Sequence, residues 1–270
     1  MKILATLLVR NEAELVADCL EHHLQHGVDA SLLTDHASTE GLAEVLHLYR
    51  HVIIDRQVET DARYLQDQWV TRMARRAVDF DPDWILHLNA DERWSGLSLL
   101  KSVPREYVWV KTGPSRNHLP LSESPGPMFR VETMTYFEVA GRTGTHTPRF
   151  ASFGMGIGGK VIHRPRRDVM IGIGNHEVHF PRSPFFVCDG IQLHHYPIRS
   201  LVQFRNKVRI GAAALDAGDW APGVGGHWRR WRDLDDNGQL PDVFRSFLLT
   251  DSEIQLRLAD GTLFHERMRP

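Results

Sequence analysis

The chain has 270 residues and 42% hydrophobic content, enough to bury the core of one large domain or two small ones. Its 32 Lys and Arg residues nearly balance its 34 Asp and Glu residues, and the net charge of −2 disfavours nucleic acid and anionic membranes as partners. Two distant cysteines, Cys19 and Cys188, give neither a disulfide framework nor a CxxC motif. The apolar start is too short for a signal peptide and no transmembrane segment follows, so we expect a cytoplasmic protein.

Strands and helices alternate in the predicted structure of the amino-terminal third. Residues 2–9 form a continuous apolar run that is typical of a buried parallel strand. A helical pattern follows, and Asn11 with Glu14 predicts a start that resembles a capping box. Apolar runs at 30–34 and 51–55 predict two further strands, each followed by a helical pattern. This alternation predicts an α/β protein with a doubly wound, parallel sheet and right-handed crossovers.

The fourth apolar run, residues 84–88, ends in a polar cluster. Asn89, Asp91 and Glu92 follow it directly. Ligands of open α/β sheets bind outside the carboxyl ends of the strands, so the cluster predicts a binding site. Asn89 and Asp91 are two residues apart, and from an extended segment both side chains can reach one oxygen-seeking cation. The alternative is that these residues only cap a helix over residues 95–100.

The two commonest phosphate-binding loops of such scaffolds are missing from the sequence. No GxGxxG follows the first predicted strand, and no GxxxxGK[ST] occurs. Dinucleotide-dependent dehydrogenases and P-loop enzymes are therefore disfavoured.

The remainder of the chain divides by composition. Residues 1–111 are predicted to be a nucleotide-binding half, and residues 112–218 are predicted to be a second half of the same domain. Within the latter, residues 112–155 are rich in Gly, Pro, Ser and Thr and predict an insertion or lid. Residues 219–270 form a tail whose tryptophans and arginines could form a homodimer contact or pack as a terminal helix.

A series of short segments in a fixed order carries a family resemblance. The segments are 9–13 (VRNEA), 22–29 (HHLQHGVD), 34–41 (TDHASTEG), 88–92 (LNADE), 159–162 (GKVI), 174–176 (GNH) and 193–200 (LHHYPIRS). The series resembles GT-A glycosyltransferases of the family-two-like type. LNADE looks like the Asp-x-Asp-Glu motif of that family with Asn89 at the first position, which leaves Asp91 as the direct metal ligand.

The resemblance implies a fold and a function. The fold is a GT-A, Rossmann-like, doubly wound and mostly parallel sheet with a smaller mixed sheet on the acceptor side. On this resemblance residues 1–111 are the nucleotide-sugar-binding half, residues 112–218 are the acceptor-side half, and residues 112–155 are an acceptor-binding insertion or lid. The tail, residues 219–270, could then stack on a sugar or cover the donor. The function is that of a hexosyltransferase-type enzyme, which moves a sugar from a nucleoside diphosphate to a hydroxyl of a carbohydrate or another small acceptor. Two alternatives stay open. One is a sugar-phosphate nucleotidyltransferase, and the other is a non-catalytic carbohydrate-binding relative, which Asn89 motivates.

The resemblance also implies roles for individual residues. Asp91 and His176 would hold Mn²⁺ or Mg²⁺, a Lewis acid for the departing diphosphate, and the imidazole favours Mn²⁺. The catalytic base would be Glu177 or Asp189. Donor binding would involve Val9, Asn11, Glu12, Asp35, Asn89 and Lys160.

Lys160 follows the glycine-rich run 154–159. We expect a mobile loop that brings the Lys160 ammonium to the diphosphate, and the alternative is a solvated lysine on a surface loop.

Overall fold

The computed structural model describes residues 1–39, 41–121, 133–142, 149, 159–180, 184–220 and 225–266. The chain forms two compact units, each built from several segments. Unit 1 comprises residues 1–61, 65–114 and 158–194, and unit 2 comprises residues 62–64, 115–157 and 195–270. The described strands, in chain order, are β1 (Ile3–Val9), β2 (Ala30–Asp35), β3 (Ile53–Val58), β4 (Trp84–Asn89), β5 (Glu92–Ser95), β6 (Trp109–Thr112), β7 (Arg116–His118), β8 (Tyr136–Val139), β9 (Val161–His163), β10 (Met170–Ile171), β11 (Val178–His179), β12 (Phe185–Cys188), β13 (Gln192–His195) and β14 (Phe264–His265). The described α-helices are α1 (Ala13–Gln25), α2 (Leu42–Leu48), α3 (Gln66–Ala77), α4 (Leu201–Asp216), α5 (Gly226–Asp236), α6 (Leu240–Arg245) and α7 (Asp251–Ala259).

A seven-stranded sheet organises unit 1. Its strand order is β12-β6-β9-β4-β1-β2-β3. Strands β3, β2, β1 and β4 are mutually parallel, β9 runs antiparallel to both β4 and β6, and β12 is parallel to β6. The chain builds outward from β1 to β3 and then restarts on the other side with β4, so a topological switch point lies between β1 and β4. The predicted fold class is confirmed: a doubly wound, mostly parallel sheet, accompanied by a smaller mixed sheet.

Burial explains the sequence patterns of these strands. All seven residues of β1 are buried, which accounts for its continuous apolar run. The edge strand β3 alternates between partly buried and exposed residues. It covers Ile53–Val58 and not the predicted 51–55, because the amides of Val52 and Ile53 both bind the carbonyl of Tyr49 and close a turn after α2.

Helices α4 and α1 start differently. Helix α4 begins with the Ser200 hydroxyl accepting a hydrogen bond from the Gln203 amide at 3.1 Å. The capping box of Asn11 and Glu14 is wrong: α1 follows Glu12 and has no side-chain cap. Asn11 has a positive φ of 53°, and its side chain binds the loop after β2.

Unit 2 contains the antiparallel strands β14, β8 and β7 of the smaller sheet, together with helices α4 to α7. The helices enclose an aromatic core in which Phe204 and Trp231 lie edge to face, with ring centroids 5.0 Å apart. Trp231 lies in helix α5 of the tail and is 1% exposed, which agrees with the alternative of a packed helix. The nearby arginines Arg229 and Arg232 form ion pairs with Asp216. In the described part of the chain, no helix has the length and hydropathy that crossing a membrane requires.

Candidate functional site

Most of the predicted site residues of unit 1 lie at one edge of the large sheet. The parallel strands β1, β2 and β4 end there at Val9, Asp35 and Asn89. Strand β12 has the same direction, so Asp189, which follows it, lies at this edge as well. Because β9 runs the opposite way, Lys160 reaches the same edge by preceding its strand.

Hydrogen bonds connect the loops that follow β1 and β2. The Asn11 amide donates to the Ser38 hydroxyl at 3.0 Å, and the Asn11 side-chain oxygen accepts from the Thr39 amide at 2.8 Å. The carbonyl of Val9 accepts from the His36 amide at 2.8 Å. Glu12 occupies the position before α1, where its carbonyl accepts the first helical hydrogen bonds. These contacts give the two loops one defined conformation.

Asp35 is buried at the end of β2, with 6% of its surface exposed. One carboxylate oxygen accepts from the Ser38 amide at 2.9 Å, and the other lies 3.4 Å from the Arg56 guanidinium. Asp35 therefore stabilises the turn after β2. An ionised carboxylate has about four lone-pair positions, so these contacts leave capacity for a ligand hydroxyl.

A buried arginine holds the turn between β4 and β5. Arg93 is fully buried, and its guanidinium donates to the carbonyls of Ala90 and Glu92 at 2.8 and 2.7 Å and to Asp18 at 2.8 Å. Asp91 lies in this turn. The expected extended segment through Asn89 and Asp91 is wrong, because β4 ends at Asn89 and residues 90 and 91 form a turn.

Glu92 is the centre of the polar network at this turn. It is 1% exposed, accepts from the Asn89 backbone and side-chain nitrogens at 3.4 and 3.1 Å and from the Trp94 indole at 3.3 Å, and forms an ion pair with Lys160. Lys160 is itself 3% exposed, so the alternative of a solvated lysine does not describe it. Residues 154–158 of the predicted mobile loop lie outside the described residues.

The network explains asparagine at the first motif position. The Asn89 side-chain nitrogen donates to Glu92, whereas an aspartate there would place a second carboxylate about 3 Å from the first. The Asn89 side-chain oxygen faces the Asn175 side-chain nitrogen at 3.5 Å. The Asn89 amide thus connects the turn after β4 to the segment that contains the GNH motif.

The GNH segment has an unusual backbone. Gly174 and Asn175 both have positive φ, 73° and 62°, and the His176 ring lies where a Cβ of residue 174 would be, 2.6 Å from that position. Glycine is therefore required at position 174. The Gly174 amide donates to the Gln66 side chain at 2.9 Å, which ties the segment to the start of α3.

His176 and Lys160 both lie next to Gly159. The His176 imidazole lies 3.4 Å from the Gly159 carbonyl, and the adjacent Lys160 pairs with Glu92. Since Glu92 binds Asn89, the structure brings together four residues that the sequence predicted separately.

Asp91 is the predicted metal ligand in this region and is 3% exposed. One of its carboxylate oxygens lies within 4.8 Å of one of Glu92. Within the described residues His176 joins no three-ligand cluster with these two carboxylates at that spacing. The Asn175 side-chain oxygen is buried and, within the same residues, has no hydrogen-bond partner. Oxygen atoms predominate, a donor set that suits Mg²⁺ or Mn²⁺.

The two predicted bases differ in position. Asp189 is exposed at the sheet edge beside Gly113, where a Cβ would lie 3.5 Å from its carboxylate. Glu177 is exposed after the GNH segment, and its carboxylate lies 3.9 Å from the His179 imidazole.

Buried neutral histidines lie among these elements. The His87 and His163 rings stack at 5.1 Å on neighbouring strands, and burial lowers the pKa of His163 to about 4 and that of His87 well below its usual value. His23 is buried behind the turn, donates to the Cys19 carbonyl and accepts from the Trp94 amide, so one neutral tautomer is defined. Burial lowers its pKa as well.

Sequence reasoning missed Arg93, whose only signal is that it adjoins predicted site residues. It included Gly159 and Asn175 in the GKVI and GNH segments but assigned them no role. Gly159 is required because a Cβ there would lie 2.0 Å from the Thr112 carbonyl.

The strand order and this edge define a doubly wound α/β protein with an acidic, oxygen-rich site at its topological switch point. No protein-family model matches the chain, and no curated protein matches it significantly. Solved structures are similar at low identity. S. aureus TarS residues 1–349 matches with a TM-score of 0.44 and 12% identity over 82% of this chain and 67% of that chain. Related structures of TarS contain UDP or UDP-GlcNAc.

Two further similar structures contain a nucleotide and manganese. The mannosyltransferase PcManGT from Pyrobaculum calidifontis, in complex with GDP-Man and Mn²⁺, matches with a TM-score of 0.39 and 12% identity over 96% of this chain and 79% of that chain. Glucosyl-3-phosphoglycerate synthase from Mycobacterium tuberculosis, in complex with Mn²⁺ and UDP, matches with a TM-score of 0.30 and 15% identity. The match covers 41% of this chain and 43% of that chain. This chain spans about two thirds of the TarS chain. At these values the fold assignment rests on the strand order described above.

Proposed function

We propose that this protein is a metal-dependent glycosyltransferase of the hexosyltransferase type, which moves a sugar from a nucleoside diphosphate to an acceptor hydroxyl. The observation that carries the proposal is the position of Asp91, a buried carboxylate in a rigid turn at the topological switch point. UDP, UDP-GlcNAc and GDP-Man, found in similar structures, are ligands of the class proposed here.

Asp91 and His176 would hold Mn²⁺ or Mg²⁺, and the bound ion would supply Lewis-acid stabilisation of the departing diphosphate. Arg93 fixes the turn that carries Asp91, so the carboxylate is positioned before the ligand binds. Two protein ligands leave most coordination positions for phosphate oxygens and water. Metal and donor should therefore bind with positive coupling.

Lys160 would add positive charge near the diphosphate. Its ammonium pairs with Glu92 in the structure, and this pair holds it close to the turn of Asp91. Asp35 would accept a hydrogen bond from the ribose or the base, and the loop from Val9 to Glu12 would line the nucleoside pocket.

Asp189 is our choice for the catalytic base, with Glu177 as the alternative. Strand β12 lies three strands from β4, a separation of about 14 Å at roughly 4.8 Å per strand. This separation leaves room for the transferred sugar and an acceptor between Asp189 and Asp91.

The metal role of Asp91 is tested by Asp91→Asn, which keeps the shape of the side chain and removes its charge. We expect Mn²⁺ to tighten the binding of UDP or GDP to the wild type in calorimetric titrations, and this effect to disappear in the variant. Hydrolysis of the matching nucleotide sugar should fall by about a hundredfold or more. Glu44→Gln, at an exposed position of α2, is the matched control.

The outcomes separate the open alternatives. A metal effect that survives Asp91→Asn would contradict the proposed site. Release of pyrophosphate from a nucleoside triphosphate would instead support a sugar-phosphate nucleotidyltransferase. Sugar binding with no turnover of any nucleotide sugar would support a non-catalytic relative.

A further inference from the structure

Arg10 directly follows β1 and is partly buried, and the roles above do not use its guanidinium. Its Nε and Nη1 atoms are inaccessible to solvent and, within the described part of the chain, have no hydrogen-bond partner. Two arginines that are more deeply buried have ion-pair partners: Arg93 pairs with Asp18, and Arg257 pairs with Glu138. Arg10 differs from them, because no described carboxylate forms an ion pair with it.

Buried donor atoms of a cation that have no acceptor are unfavourable for the folded protein. A charge that leaves water without a counterion loses its hydration and receives no Coulomb energy in return. Guanidinium donors form a planar fork that matches phosphate and carboxylate oxygens. Buried donors that lack an acceptor, carried by a permanently charged group, therefore indicate an anion that arrives with a ligand.

No described carboxylate forms an ion pair with Arg10, although Asp61 and Glu59 lie in the same region around His36, where Glu59 pairs with Arg72. The nearby His36 imidazole donates to the Asp61 carbonyl at 2.6 Å and packs on Trp69 with ring centroids 4.5 Å apart. Burial is the main cause of the lowered pKa of His36, and the charge of Arg10 lowers it further, so this imidazole is neutral at pH 7. Asp35, on the adjacent strand, already binds Arg56 and the Ser38 amide.

The position of Arg10 identifies the ligand group. It lies at the carboxyl end of β1, beside the switch point, and Asn11 after it is held by the loop that follows β2. A nucleoside diphosphate is an anion of the class proposed for this edge. We propose that Arg10 binds a phosphoryl group of that ligand through its guanidinium. The identity of the nucleoside rests on the proposed function, whereas the anion site rests on Arg10 itself.

The test uses Arg10→Gln, Arg10→Lys and the control Arg50→Gln, which alters an exposed arginine of unit 1. Calorimetric titrations in metal-free buffer use inorganic pyrophosphate, UDP, GDP, and the two nucleosides. We expect Arg10→Gln to weaken binding of pyrophosphate and of the preferred nucleoside diphosphate by about ten- to a hundredfold, with the nucleoside unaffected. Arg10→Lys should recover part of the lost affinity, because lysine keeps the positive charge but lacks the planar pair of guanidinium donors.

Thermal unfolding separates a binding role from a structural one. Removing buried donor atoms that have no acceptor should leave the Tm of ligand-free Arg10→Gln unchanged or higher than that of the wild type, whereas loss of a structural arginine would lower it. A lowered Tm, unchanged diphosphate binding or an equal loss of nucleoside binding would overturn the proposal. If pyrophosphate binds through Arg10 and neither nucleoside diphosphate binds better than pyrophosphate, the anion site stands and the proposed function fails.

Discussion

Glu92 connects the polar residues after β4 through hydrogen bonds and an ion pair. Its carboxylate accepts hydrogen bonds from the Asn89 nitrogens and the Trp94 indole and forms an ion pair with the Lys160 ammonium. A carboxylate occupied in this way is a poor proton acceptor for a substrate. Glu92 therefore acts as a positioning residue for Asn89 and Lys160.

Aspartate at position 89, the first position of the motif, should destabilise the protein. Asn89→Asp replaces a donor with a carboxylate about 3 Å from Glu92, and we expect a loss of about 1–3 kcal/mol in the free energy of unfolding at pH 7. Protonation removes the repulsion between two carboxylates, so the loss should be smaller at pH 5 than at pH 7. Urea denaturation at both pH values measures it.

The control for this change is Asn206→Asp, at an exposed position of α4, which should cost little at either pH. An Asn89→Asp protein as stable as the wild type at both pH values would show that the Asn89 to Glu92 hydrogen bond does not hold the turn.

At the scale of elements, the entry to β9 decides where Lys160 lies. The Lys160 amide donates to the Thr112 hydroxyl, and the Lys160 carbonyl accepts from the Thr112 amide, both at 2.9 Å. These bonds bring the backbone at Gly159 so close to the end of β6 that no side chain fits at that position.

Gly159→Ala should therefore strain the junction of β6 and β9. The new Cβ would lie 2.0 Å from the Thr112 carbonyl and 2.6 Å from the Gly113 carbonyl, so backbone must move. We expect a loss of about 3 kcal/mol in the free energy of unfolding and weaker donor binding, because Lys160 shifts with the strand. Chemical denaturation and calorimetry measure the two effects.

Gly226→Ala is the matched control, since a Cβ there meets nothing within 4 Å and the residue lies in α5. It should leave stability unchanged or slightly raised. Equal effects of the two changes would contradict the steric argument for Gly159.

At the scale of the whole molecule, buried histidines make folding sensitive to acid. Burial lowers the pKa of His22 and His163 to about 4 and those of His23 and His87 well below the usual value. The unfolded chain binds protons near pH 6.5, whereas the folded protein resists them, so stability must fall as pH decreases from about 6.5 towards 4. The fully buried His163 alone contributes on the order of 3 kcal/mol over this range.

Urea denaturation between pH 7 and 5 tests this prediction. His163→Phe keeps a ring beside His87 and removes one titrating group, so the dependence on pH should become shallower. His51→Gln, at an exposed position, should leave the slope unchanged. A free energy of unfolding that is constant from pH 7 to 5 in the wild type would contradict the prediction.

The sequence by itself determined the class of the sheet and the edge that carries the site. Continuous apolar runs report strands buried on both faces, and β1, β2 and β4 have this pattern because each is covered on both sides. The alternation with helical patterns fixed their parallel direction. The polar residues after β4 were visible for the same reason, since they interrupt an apolar run abruptly.

Only the tertiary structure decided which of these residues meet. Lys160 pairs with Glu92, and Asn175 contacts Asn89, because β9 inserts antiparallel beside β4 and the GNH segment is tied to α3. Hydrophobic periodicity reports the burial of one element at a time and contains no information on register between distant strands. The sequence likewise could not show that the buried Nε and Nη1 atoms of Arg10 have no partner among the described residues. Pairing depends on distances between side chains, which only the folded chain defines.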